Sequence, residues 1–213
     1  MKSLLTVTDF ADSYDLTVLA TAKSELGINL DDETQDVKIT LLIHQISNAI
    51  STLCKRIFAE ETIQEVFRLE SEDDSTKALV LSRRPISSIT SVTEDAVLVP
   101  EAEYETDFKA GLIYRLTTSD FRQSWGASKI TVVYVAGYYL LDDLPYDVEK
   151  ACLLWIKHTW AELKRKDIMV RVEDVPGVMR QEFWDQGNRS NPNYDPPAEV
   201  MVLLQPYMEH VVR

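Results

Sequence analysis

The chain has 213 residues, 45% of them hydrophobic, and its 35 acidic against 22 basic side chains give a formal net charge of −13. That apolar share is ordinary for a folded chain and excludes wholesale disorder. The acid excess excludes proteins that bind nucleic acid by displacing counterions with a basic face. No apolar run approaches the roughly 18 residues that cross a bilayer, and the opening "MKSLLTVTDFADSYD" turns acidic too soon for a signal peptide. A cytoplasmic product without a membrane partner is expected.

Residues 1–15 are set apart as a leader. In "SYDLTVLATAKSELGI", Leu16, Leu19, Ala22 and Leu26 recur at helical spacing and Gly27 follows as a C-terminal cap, which predicts a first helix over about 16–26. Asp31 or Asp32 then caps a second, long amphipathic helix over about 32–57, whose stripe is Ile39, Leu42, Ile46, Ile50, Leu53 and Ile57. Beyond Phe58 the period falls to two. "TIQEVFRL", "SITSVT", "GLIYRL" and "KITVVYVAGYY" read as strands of a small antiparallel sheet inserted over about 62–139. The helical period returns in "DDLPYDVEKACLLWIKHTWAELKRKD", a third helix over about 144–166 with Val148, Cys152, Trp155, Thr159 and Leu163 on one face. Residues 167–213 lack sustained periodicity and read as an extended C-terminal arm, with an apolar patch at Val200, Leu203 and Leu204 before Pro206. The expected fold is α+β, with one domain over 16–166 built on a helical bundle core and the inserted sheet.

The chemistry-bearing residues are sparse. His44, His158 and His210 lie on separate elements without metal-ligand spacing, and "LDDETQD" lacks the alternation and central glycine of a calcium loop. There is no nucleophile elbow and no phosphate-cradling loop. Cys54 and Cys152 sit among apolar helical neighbours, as buried small hydrophobes do. No enzyme, metal or cofactor is expected. The competing enzymatic reading is a small metal-dependent hydrolase using Glu101, Glu103 and Asp107.

The order of landmarks resembles the head-tail connector (adaptor) family of tailed bacteriophages. Lys23, Leu26 and Ile28 end the first helix, and Ile50, Arg56 and Phe58 close the second. Leu81, Pro85, Ile86, Ile89 and Val92 open a strand; Tyr134, Ala136, Gly137 and Tyr138 precede the third helix at Leu144 and Pro145. The terminal "LLQPYMEHVVR" is similar to the family's closing segment, so the resemblance runs from about residue 16 to the end. The departures are the leader, the acidic connections around residues 70–74 and 97–107, and Cys54.

The resemblance implies a structural virion protein of the head-tail neck, assembled from the host cytoplasm. It forms a homo-oligomeric ring, usually of twelve copies, beneath the portal protein, extends the channel for genomic DNA without sequence-specific binding, and receives the stopper or tail-completion protein. Another neck or tail-completion protein of the same particle is the nearby alternative. An acidic channel would let DNA pass without gripping it.

Two sites follow as expectations. Arg83 and Arg84 stand before Pro85 at the mouth of a strand, where forked contacts to carboxylates of a neighbouring subunit, or of the chain's own acidic loops, compete with simple solvation. Leu203, Leu204, Pro206 and Tyr207 are the expected portal-binding anchors, against the alternative that they pack on the third helix of their own chain.

Overall fold

The structure is a computed structural model and describes residues 2–69, 75–140, 142–164, 172–175, 179–182 and 196–208. Helix α1 (Leu19–Glu25) is stopped by Gly27, whose φ of +66° suits a residue without a side chain. The Ile28 amide donates to the Lys23 carbonyl at 2.9 Å, closing the last turn. Asp32 caps a single 3-10 turn by accepting from the Thr34 amide at 3.1 Å, and this turn runs into α2 (Asp36–Cys54). Lys55, at φ 53°, turns left-handed and ends α2.

Helix α3 (Tyr146–Lys164) starts where the Pro145 carbonyl accepts from the Val148 amide at 2.9 Å. Helix α4 (Ala198–Leu204) packs on α3, while α1 packs on both α2 and α3. Ile39, Ile43, Ile46 and Ile50 of α2, Val148, Cys152 and Ile156 of α3, and Val200 and Leu204 of α4 are all buried. These elements belong to one compact unit, which comprises 15–55 and the described residues from 145 onward.

The other unit comprises 2–14 and 56–144 and is built from antiparallel strands. They are β1 (Lys2–Asp9), β2 (Glu61–Arg68), β3 (Ala78–Val80), β4 (Ile86–Glu94), β5 (Val97–Leu98), β6 (Tyr104–Asp107), β7 (Leu112–Leu116), β8 (Arg122–Gln123) and β9 (Lys129–Ala136). A five-stranded sheet has the order β1-β2-β9-β4-β5, and a second has the order β3-β7-β6 with β8 on β7. Alternation along β2 and β9 turns Ile63, Phe67, Ile130, Val132 and Tyr134 inward. Those side chains share one apolar cluster with Leu79, Ile113 and Trp125 of the second sheet region. Trp125 is fully buried, and its indole donates to the Ile113 carbonyl at 3.2 Å. Separately, β10 (Val172–Val175) and β11 (Met179–Glu182) form a two-stranded antiparallel ribbon.

The α+β class therefore holds, but the expected balance of a helical bundle core with a small inserted sheet gives the sheets too little. They form the larger set of elements and carry a core of their own. The physical reason is that the strands between residues 61 and 136 join two sheets face to face, so they bury their inward side chains on each other and do not need a helix as a lid.

Candidate functional site

The landmark residues of the sheet unit converge on one corner. The Arg56 guanidinium lies over the rings of Phe58 and Tyr138, 5.6 Å from each centroid, and donates from Nη2 to the Arg84 carbonyl. The Gly137 amide donates to the Pro85 carbonyl at 2.9 Å, and the Tyr138 amide to the Phe58 carbonyl at 2.7 Å. Gly137 has a φ of +120°, and a Cβ there would stand 2.2 Å from the Ala59 carbonyl oxygen. Only glycine lets these two backbone segments approach so closely. The Arg84–Pro85 bond is cis.

Arg84 is exposed and the methylenes of its side chain cross Gly111, where a Cβ would come within 2.6 Å of Cγ. Arg83 is half-buried; its amide donates to Tyr134 Oη at 3.3 Å. Its Nε is buried and finds no hydrogen-bond partner among the described residues. Tyr134 in turn donates to Glu65 Oε2 at 2.9 Å. Glu65 is fully buried and also accepts from the Ser82 amide at 3.0 Å and from Ser82 Oγ at 2.6 Å. Burial and the Glu65 carboxylate push the Tyr134 phenol far above its ordinary value. At the rim, Tyr14 donates to Glu61 Oε1 at 2.7 Å, and its phenol is raised by burial and by that carboxylate.

In the helical unit, Lys23 is buried. Its ammonium reaches Asp36 Oδ1 at 2.7 Å and the Leu30 carbonyl at 2.8 Å, tying the loop before α2 to α1. Cys54 and Cys152 are both buried thiols, and burial pushes that of Cys152 up to about 12. The four C-terminal residues singled out from sequence divide. Leu204 is fully buried, Leu203 and Tyr207 are half-buried, and Pro206 is exposed. Val202, beside them, is 69% exposed.

Two of the three acids of the hydrolase alternative hold structure together, and Glu101 opens the 3-10 turn that precedes β6. Glu103 Oε2 pairs with Arg115 Nη2 at 2.9 Å, and Asp107 Oδ1 accepts from the Ala110 amide at 2.9 Å inside a turn. Among the described residues no group of three or more His, Cys, Asp or Glu side chains is placed to hold a metal ion. His44 Nδ1 meets Asp15 Oδ1 at 2.6 Å, and His158 Nδ1 lies 3.5 Å from Glu162 Oε1 one helical turn on. His210 lies outside the described residues.

Sequence reasoning missed the Glu65–Tyr134–Ser82 network, strand β1 and the β10–β11 ribbon. The first had a signal: Glu65 stands in the inward phase of "TIQEVFRL", where a charge must find partners.

A family model described as head completion protein matches residues 23–168. No curated protein matches the chain. Among solved structures, a chain in the neck of an empty GTA particle computed with C6 symmetry has a TM-score of 0.55 at 14% identity, covering 99% of this chain and 97% of that one. A chain in the neck of the native GTA particle computed with C12 symmetry has a TM-score of 0.51 at 15% identity, with the same coverage. A chain in the virion of the native gene transfer agent particle matches at a TM-score of 0.51 and 14% identity, again over 99% and 97% of the two chains. At such identity the likeness is one of fold.

Proposed function

We propose, from the premise that the chain belongs to the head completion protein family, that it is a structural protein of the neck of a phage-like particle and has no catalytic role. In this reading it forms a ring beneath the portal, extends the DNA channel and provides the platform for the stopper or tail. The observation that carries it is the family match over residues 23–168. The shared fold with chains from GTA necks, over 99% of the chain, supports the same reading. The convergence of Arg56, Phe58, Pro85, Gly137 and Tyr138 on one corner supports an architectural role for those landmarks, since each makes a backbone or stacking contact there.

Portal docking through the C-terminal segment is part of the proposal. Leu204 would act by holding α4 on α3, and Leu203, Pro206 and Tyr207 would supply the contacting surface. Arg83 and Arg84 are proposed to face carboxylates of the adjacent subunit, with the exposed side chain of Arg84 as the supporting feature. Electron microscopy of the protein mixed with portal rings tests the whole. A second ring stacked coaxially under the portal is expected, fainter or absent for Leu203→Asp combined with Pro206→Ala. Failure to bind portal, with binding instead to an assembled connector, would move the chain to a later position in the neck.

A further inference from the structure

The five-stranded sheet ends in an unprotected strand. β1 pairs with β2 continuously from Lys2↔Arg68 to Val7↔Ile63, shifts register only at its end before Asp9↔Thr62, and among the described residues nothing pairs with its other edge. Natural edge strands are usually blunted by a charge, a proline or a bulge that faces outward. Between Lys2 and Asp9, β1 reads "SLLTVT", with no charge, proline or glycine. It has strong β-propensity, and Leu4 is 69% exposed. Such an edge is a template for another strand.

The same chain carries an element with the complementary deficit. β10 and β11 pair in register from Val172↔Glu182 to Val175↔Met179, and among the described residues neither pairs with any other strand. A two-stranded ribbon of four residues per strand does not sustain itself in water; it needs a third strand or an apolar surface. Residues 165–171 join it to α3 and residues 183–195 lead on to α4, so the shorter connection reaches at most about 25 Å.

We infer that the β10–β11 ribbon of one copy adds to the free edge of β1 in the neighbouring copy, lengthening that five-stranded sheet by two strands. This rests on the ring proposed above and names its lateral contact. The contact is heterologous, since one surface gives the ribbon and a different one receives it. That is the type a closed ring requires. Each copy holds one β1 edge and one ribbon, so a closed ring satisfies both, whereas a partner of another kind would leave one of them open on each subunit; β5, at the far end of the sheet, is two residues long and offers no equivalent edge. Pairing β1 with β1 would stop at a dimer.

Mixed cross-linking on portal-bound rings tests the inference. Chains carrying Leu4→Cys are assembled with chains carrying Arg180→Cys and treated with a short bismaleimide; Cys54 and Cys152 are 0% exposed and stay silent. Cross-links are expected between the two kinds of chain and not within either kind. A second variant, with residues 172–182 replaced by a Gly-Ser segment of equal length, is expected to keep the thermal transition of the parent and lose ring closure. Complete rings from the Gly-Ser variant, or rings in which the two kinds of chain do not cross-link, overturn the contact and leave the ring reading standing. A parent chain that forms no ring on portal overturns the ring reading, and the contact falls with it.

Discussion

Glu65 is fully buried, yet it accepts three hydrogen bonds, two from Ser82 and one from Tyr134. Removing the acceptor strands its donors in a low-dielectric interior, where each unsatisfied group costs about 1–3 kcal/mol. Glu65→Ala is therefore expected to lower the unfolding free energy by at least about 2 kcal/mol, read as a reduced urea midpoint at unchanged slope. Tyr134→Phe removes one donor and leaves Ser82 in place, so it should cost clearly less. Equal losses would mean that the ring packing of Tyr134, and not the carboxylate, holds the network.

A pH dependence follows from two buried acids of another kind. The Cys152 thiol is raised by burial from 9.0 to about 12, and the Tyr134 phenol is raised beyond its ordinary 10.0 by burial and by Glu65. In both cases the folded chain keeps a proton that the unfolded chain releases. The contribution to stability is intact below the unfolded values and is lost as pH rises through the folded ones. Thermal unfolding followed from 9.0 toward 12 should show a steady fall in midpoint, shallower in Cys152→Ala. A midpoint flat across that interval would contradict the protonated, buried state of both groups.

At the scale of elements, the glycines separate two kinds of turn. Gly137 combines a φ of +120° with a backbone carbonyl 2.2 Å from where a Cβ would sit, whereas a Cβ at Gly126 would meet nothing within 4 Å. Gly137→Ala must push its own segment away from that of Ala59 and Glu60, and a loss of about 3 kcal/mol or more is expected. Gly126→Ala should be close to neutral. Denaturant unfolding of the two variants side by side checks this, and a tolerated Gly137→Ala would show that the corner yields.

Helix periodicity and caps were legible because they are local. Gly27 does stop α1, and Asp32 does cap the turn before α2, each through hydrogen bonds within five residues. The corner was legible only as separate landmarks: nothing within "LSRRPISSITSVT" reveals that the Arg84 carbonyl will meet Arg56 or that Pro85 will meet Gly137. Sheet pairing is non-local, so β1 passed for a leader although Leu5 and Val7 already alternate with Thr6 and Thr8. Trp125 went unremarked in the sequence and is a core residue, because its partners are distant: its indole donates to the Ile113 carbonyl on β7 and its backbone bridges Thr76. The acids around Glu103 suggested chemistry by type alone; their partner Arg115 lies on β7, across a strand pair.

On the scale of the molecule, the charge of −13 per copy would make the proposed ring an association between like-charged bodies. Long-range repulsion opposes it and is screened once the Debye length falls to about 10 Å near 0.1 M salt. The two contacts proposed between copies respond to salt in opposite ways. A lateral contact made of backbone hydrogen bonds along β1 is indifferent to ions, so relief of repulsion should dominate and assembly should strengthen with salt. A contact resting on Arg83 and Arg84 against a neighbour's carboxylates would weaken instead, as exposed ion pairs do. The expected outcome is a ring fraction on portal that rises with ionic strength, measured by sedimentation. Arg83→Ala with Arg84→Ala should then displace the curve without reversing its slope. If the slope is negative in the parent and flat in the double variant, the arginines and not the strand edge carry the ring.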